Sequence, residues 1–268
     1  FKFIMDSKVH TMTNLKNFHR GSSGKFITIY PKHDQEFQEV LNTLHETLKD
    51  EEGPYILSDK RYKDTKVLYY RYGGIQKNTI LNIMGEHAPV LYSPEGEPIP
   101  DVRTPYFNPP SWVVDPFCEG QETIPESPTL KGGRYSIISA LSFSNSGGVY
   151  LAQDNESGEN VVIKEARPYT NVDENGNEAV GILQLEFEIL KMLQDDDVVP
   201  KPLDLFCEWE HAYLVEEYIE GTGIREVLLE KNPLLNVNPT LSDTEKYYDC
   251  FRKIFTSFNE ILKIVHDK

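Results

Sequence analysis

Cysteine is scarce in this chain: Cys118, Cys207 and Cys250 are the only three in 268 residues, far apart and odd in number. That argues against a disulfide framework or a zinc site and suits a reducing compartment, here expected to be the cytoplasm. Each cysteine reads as a small buried apolar residue. No apolar run approaches the roughly 20 residues of a membrane-spanning helix, and Phe1-Lys-Phe-Ile-Met5 lacks the shape of a signal peptide. Positive charge is also short. Lysine and arginine number 27 against 43 acidic residues, a formal net charge of −16, which disfavours nucleic-acid binding because a phosphate backbone needs a basic surface. There is no internal repeat. What is present is globular: 39% hydrophobic and 11% aromatic residues are too many for disorder. The length suits two domains. The acid gathers in loops such as Asp173–Glu178 and Asp195–Asp197. Lys2, Lys8, Lys16, Arg20 and Lys25 crowd together near the start, as an anion site would need.

Strand and helix signals alternate irregularly, predicting an α+β fold. Strands are expected at Phe1–Met5, Lys25–Tyr30, Pro54–Leu57 and Val67–Arg71. Asp34 is placed to cap a helix carrying Phe37, Val40, Leu41, Leu44 and Leu48, stopped by Gly53-Pro54. Proline and turn residues dominate from Ser93 to Pro128. They divide the chain into a domain over 1–124, a linker over 125–132 and a second domain over 133–268. In the second, strands are expected around Tyr135–Leu141, Val149–Gln153, Val161–Glu165, Leu203–Trp209 and Tyr213–Glu217. A helix near Val180–Leu193 shows Ile182, Leu185, Ile189 and Leu193 on one face. Ser242-Asp-Thr-Glu245 spells a capping box for a final helix whose buried side would hold Phe251, Phe255, Phe258 and Ile261.

This second domain carries phosphoryl-transfer signals. Gly147 and Gly148, in Ser144-Asn-Ser-Gly-Gly-Val-Tyr150, let backbone approach a phosphate closely. Lys164 ends the apolar strand Val161-Val-Ile-Lys164, where its ammonium can reach phosphates. Glu186 is offered on the helix to pair with it, and Glu217-Tyr218-Ile219 follows a strand as a hinge would. Alone, each reads as an ordinary surface or turn residue; in this order and spacing they resemble the small lobe of the protein-kinase fold. The resemblance implies that the backbone from Glu217 to Ile219 hydrogen-bonds a purine and that the cofactors are ATP or GTP with Mg²⁺. Ser144, Asn145 and Ser146 depart from the glycine-richer loop of that family. On the same resemblance the catalytic loop and the metal-binding Asp-Phe-Gly segment are expected beyond Lys268, so this lobe alone is not expected to turn over.

The first domain resembles the lyase of class III lanthionine synthetases, itself similar to bacterial effector phosphothreonine lyases. The residues that carry the likeness are Phe1-Lys-Phe-Ile-Met-Asp6, Arg20-Gly-Ser-Ser-Gly-Lys-Phe-Ile-Thr-Ile-Tyr30, Tyr55-Ile-Leu-Ser-Asp59 and Tyr69-Tyr-Arg71. Eliminating phosphate across Cα–Cβ needs a base, cations for the dianion and an acid for the leaving oxygen. The resemblance implies that Lys2 is the base and that Arg20, Tyr30 and Arg71 contact phosphate. Asp59 is expected to orient one of these cations, and Arg103 is a candidate for a further phosphate or substrate contact. The family's acid histidine is expected before Phe1; Lys8-Val-His10 has its spelling but follows the strand it should precede, and is read as coincidence.

Together the halves match the lyase-then-kinase order of that family. Its implied substrate is a ribosomal precursor peptide with a leader segment, whose Ser and Thr become dehydroalanine and dehydrobutyrine before thioether rings form. The helix over Val180–Leu193 has a second apolar side, Leu183, Phe187 and Leu190, offered as a leader-docking face. Two rival readings stay open: a Ser/Thr kinase with an N-terminal regulatory module, and a non-catalytic peptide-binding scaffold.

Overall fold

The computed structural model describes residues 1–74, 78–117 and 128–268. Its architecture is α+β. In the front half, β1 (Lys2–Phe3) pairs antiparallel with β2 (Ile27–Thr28), with Lys2 opposite Thr28. The strand expected over Lys25–Tyr30 therefore shrinks to two residues, and Pro31 beyond it has no N–H with which to resume a ladder. Between them lies α1 (Ser7–Met12), whose N-terminal amides at Lys8 and Val9 donate to the Asp6 carboxylate at 2.7 and 3.2 Å.

Helix α2 (Asp34–Leu48) follows the expected apolar spacing, but its cap is His33, whose Nδ1 accepts from the Glu36 N–H at 3.2 Å. The helix packs Leu41, Phe37 and Leu44 on an aromatic core of Tyr62, Leu68, Tyr70, Phe107 and Phe117. That core is supplied by the hairpin β3 (Lys60–Arg61) and β4 (Tyr69–Tyr70) and by the segment beyond residue 100. Residues 54–56 form no strand. A meander of β5 (Thr79–Leu81), β6 (His87–Tyr92) and β7 (Pro98–Pro100) extends into the proline-rich stretch, for which no strand was expected. Pro98 and Pro100 sit on the edge strand β7, where a missing N–H is tolerated, while Pro89 lies on the central strand β6.

The back half is one six-stranded antiparallel sheet with a helix on it. Its strands are β8 (Thr129–Leu130), β9 (Tyr135–Ser144), β10 (Gly147–Asp154), β11 (Asn160–Ala166), β12 (Pro202–Glu208) and β13 (His211–Glu217), in the order β12-β13-β11-β10-β9-β8. Strand β8 falls inside the expected linker; residues 125–127, like Cys118, lie outside the described residues. Strand alternation separates the two faces of β11. Val161 and Ile163 pack with Tyr135, Ala152 and Val215 on one side, while Ala166 packs with Ala212, Leu214 and helix α3 (Ala179–Leu193) on the other.

Several expectations fail here. The face of α3 against the sheet is Leu183, Leu190 and Leu193, 4–7% exposed, whereas Ile182, Leu185 and Ile189 are 41%, 60% and 43% exposed. Both stripes have helical spacing, so periodicity cannot choose between them; the sheet does. Leu183 and Leu190 are thus core residues, not a docking face. Helix α4 (Ile224–Glu230) leads to α5 (Leu241–His266), whose capping box is Thr240 with Asp243, two residues earlier than the spelled one. Phe251, Phe255, Phe258 and Ile261 of α5 are exposed, and so is Cys207 on edge strand β12.

The halves meet along a seam at the β9–β10 turn. Fully buried Asn145 donates from its backbone N–H to Lys16 O at 2.8 Å and from Nδ2 to Leu15 O at 3.2 Å. Gly147 has φ +153°, and a Cβ on it would stand 1.9 Å from Glu165 O on β11; one on Gly148 would meet the Tyr150 hydroxyl at 2.4 Å. Gly147 is thus required by a close backbone approach inside the sheet, whatever else it does, whereas the neighbour of Gly148 is the far end of the Tyr150 side chain. Gly147→Ala should cost about 3 kcal/mol of stability in chemical denaturation. A loss under about 1 kcal/mol would show that the turn yields without this close approach.

Candidate active site

Two cation clusters stand out, one in each half. In the back half, β11 carries Lys164 on the same face as Ala166, toward α3. Its Nζ reaches Glu186 Oε1 of α3 at 2.6 Å and Glu216 Oε1 of β13 at 2.8 Å. Lys164 lies opposite Leu214 in the ladder, and Glu216, two residues on, shares its face. Burial works to lower the Lys164 pKa, but the two carboxylates outweigh it and hold the ammonium above its usual range. Glu216 is 3% exposed. Burial pushes its carboxyl up, Lys164 opposes this only in part, and Glu186 adds to the rise.

Beyond β13, the Glu217 N–H donates to Lys201 O at 3.0 Å, and the Glu217 carboxylate accepts from the Lys201 N–H at 3.0 Å. Ile219 is exposed. The Glu217 amide is therefore engaged within the chain.

In the front half, the loop over residues 20–25 lies against two others. A Cβ on Gly21 would meet the Arg103 and Thr104 carbonyls at 3.0 and 3.2 Å, and Gly24, with φ +81°, sits against Ile56 and Pro54. This brings Lys25 to the buried Asp59, with Nζ 2.7 Å from Oδ1. The Ser58 hydroxyl donates to the same carboxylate oxygen at 2.7 Å. Arg71 stands 3.9 Å from Asp59 and 3.8 Å from Asp101. It also lines a small cavity with Ser58, Tyr72, Thr104, Phe107 and Asn108. Burial lowers the Lys25 pKa; Asp59 works to raise it, and the nearby charges of Arg71 and Arg103 lower it further.

Asp59, Arg71 and Arg103 thus share a neighbourhood. Lys2 and Tyr30 make a second group, with the Lys2 ammonium 5.6 Å from the Tyr30 ring centroid and Lys2 exposed at the strand pair. Arg20 faces the other way: its guanidinium lies 4.4 Å over the Phe143 ring of β9, with Nε buried and unpartnered. Sequence reasoning did not single out Lys25, although it sits in the glycine-rich motif and the basic cluster. Glu216 was also missed. Its signal was available, since alternation from Leu214 places it beside Lys164 while neighbouring Glu217 turns away.

Among the described residues no group of three or more His, Cys, Asp or Glu is placed to hold a metal ion, and no helix is long and apolar enough to cross a membrane. The charge balance around Lys25 makes a signed prediction. Asp59→Asn removes the group that raises the Lys25 pKa and should lower it further, whereas Arg71→Met should raise it. NMR titration of the Lys25 Cε signals reads both. Shifts of the opposite sign would show that Lys25 is governed by other neighbours.

Comparison with known proteins adds three matches. Residues 1–128 match the family described as RamC, N-terminal domain. A probable SapB synthase from Streptomyces coelicolor is 36% identical over 267 residues, covering 99% of this chain but 29% of that protein. Serine/threonine-protein kinase D from Synechocystis sp. is 29% identical over 142 residues, half of this chain and 24% of that one. The front half is therefore similar to the RamC N-terminal domain, and almost the whole chain to a probable SapB synthase of which it spans less than a third.

Proposed function

We propose that this chain is part of a lanthipeptide biosynthesis enzyme that phosphorylates Ser and Thr of a precursor peptide and then eliminates the phosphate. The matches to RamC and to a probable SapB synthase support a lanthionine synthetase-related protein. The observation that carries the chemistry is the Lys164–Glu186 pair at 2.6 Å, a fixed cation between a sheet and a helix. The 29% identity to a Ser/Thr kinase supports the same reading.

In the first step Lys164 holds phosphates of ATP or GTP while Glu186 keeps its ammonium in place, as charge on the transferring group requires. The carbonyl of Glu217 and the amide of Ile219 take the purine, the Glu217 amide being engaged by Lys201. Gly147 and Gly148 keep the phosphate-facing turn close to β11. Mg²⁺ would neutralise charge on the phosphates when bound.

In the second step Lys2 takes the Cα proton of the phosphorylated residue. The electron pair of the Cα–H bond forms the Cα=Cβ double bond as the Cβ–O bond breaks, and phosphate leaves as HPO₄²⁻, its leaving oxygen taking a proton from water. Arg71, with Arg103 as a further contact, holds the dianion, because a planar guanidinium binds two oxygens at once; Arg20, turned toward Phe143, stands outside this contact set. Tyr30 contacts phosphate beside Lys2. Asp59 fixes Lys25 and Arg71, so the cluster keeps a defined geometry before substrate arrives. One chain bearing both steps raises the effective concentration of phosphopeptide at the second site.

Two substitutions in the full-length protein separate the steps. Lys2→Met should leave phosphorylation intact and slow elimination by at least about a hundredfold, so the peptide accumulates with HPO₃ gained and no water lost. Lys164→Ala should abolish phosphorylation, yet a pre-phosphorylated peptide should still be dehydrated by the folded variant. Intact-mass measurement reads both. Normal dehydration by Lys2→Met would contradict the assignment of the base, and failure of rescue in Lys164→Ala would point to one composite site.

A further inference from the structure

Lys164 has more carboxylate around it than its task needs. A lysine positioned for phosphate requires one partner to aim it, and Glu186 supplies that from α3, with its side chain 39% exposed. The second carboxylate, Glu216, is 4% exposed at its side chain and comes from the sheet itself. Two carboxylates on one ammonium leave a net negative charge where a nucleotide would bring several more. We propose that Glu216 is a competitor for Lys164, holding the ammonium in the nucleotide-free chain and taking up a proton when triphosphate binds. This rests on the kinase reading above and adds to it a positioning residue that sets nucleotide affinity and its pH dependence.

The physical case is short. Glu216 is desolvated, so its charged form depends on Lys164. Its charged surroundings are few: Lys164 faces it from β11 and Glu186 from α3, while its register partner on β12 is Pro202, which carries no charge. A phosphate oxygen that takes Lys164 also places negative charge beside Glu216. Both changes disfavour the carboxylate, and protonation removes the repulsion. Its carboxyl already lies above the usual carboxylate range before any nucleotide arrives. The sign follows from linkage: if the bound state has the higher Glu216 pKa, binding takes up protons, and affinity falls as pH rises between the free and bound pKa values. Lys164, held above its usual range, stays charged throughout.

The experiment is calorimetric titration of the full-length protein with Mg²⁺ and a non-hydrolysable ATP analogue. It is repeated in buffers of different ionisation enthalpy, between about pH 5 and pH 8. Wild type, Glu216→Gln, Glu216→Leu and Glu186→Gln are compared, so that titration of the nucleotide's own phosphate cancels. Glu216→Gln should bind about tenfold more tightly near neutral pH, as removal of roughly one pKa unit of linkage implies, and should lose the excess proton uptake. Glu216→Leu should do the same, which guards against a fault peculiar to the amide. Glu186→Gln should keep the proton uptake and gain no affinity, because its carboxylate aims the lysine and is open to solvent. Unchanged affinity and proton uptake in both Glu216 variants would overturn the proposal, as would equal tightening in Glu186→Gln. Absence of nucleotide binding in wild type and all variants would sink the kinase reading and this inference together, and so is distinguishable from failure of the inference alone.

Discussion

The structure depends on what is done with one buried arginine. Arg167, at the end of the central strand β11, is 2% exposed. Its backbone N–H donates to Ser146 O at 2.7 Å and its Nη1 to Asn145 O at 2.8 Å, while Nη2 donates to Tyr55 O in the front half. A single residue thus ties the strand that bears Lys164, the Gly147 turn and a loop four residues from Asp59. Burial works against its charge, and Glu165 on the same strand supports it. A second arginine repeats the theme. Arg61 meets both Glu210 carboxylate oxygens at 2.8 and 2.6 Å and lies against the rings of Tyr55 and Trp209. Bidentate, stacked guanidinium contacts are geometrically demanding, so the two halves meet in a defined register.

That register bears on how the two candidate sites relate. The glycine turn of the back half is not a free flap, because Asn145 is bonded to Leu15 and Lys16. Asn14, one residue earlier, accepts from the Ser23 hydroxyl and the Gly24 N–H, and Gly24 directly precedes Lys25. The backbone that presents Lys25 to Asp59 is thus continuous with the backbone that holds the turn. Each site is also built on one plan: a lysine held by a buried carboxylate from a different element, with further charge around it. In the front cluster the extra charges are cationic and lower the lysine pKa; in the back cluster they are anionic and raise it. The first arrangement favours binding an added anion, and the second keeps a cation charged for one.

Much of the back half was legible because its strands are apolar runs set off by turn residues, with Lys164 breaking into one of them. The front half was less so. Its β1–β2 ribbon is two residues long, and its core is a set of aromatic rings drawn from α2, a short hairpin and the stretch around Phe107 and Phe117, a pattern with no period to read. The proline-rich stretch from Ser93 offered no strand signal, yet an edge strand forms over Pro98–Pro100. Helix α3 misled for a different reason: two apolar stripes with equal spacing, of which the sheet covers Leu183 and Leu190. The opposite orientation of Arg20, toward Phe143, had no sequence signal at all, since its motif lies in one half and its contact in the other.

The central claim is that one phosphoryl group passes from nucleotide to peptide and is then expelled. The direct measurement is a time course with γ-phosphate-labelled nucleotide, precursor peptide and the full-length protein, following label on peptide, free phosphate and dehydrated residues together. The account predicts that label appears on peptide first and then falls, with one dehydrated residue formed for each labelled phosphate released from it. Label that stays on the peptide with no dehydration, or dehydration in which the peptide is never labelled, would contradict it.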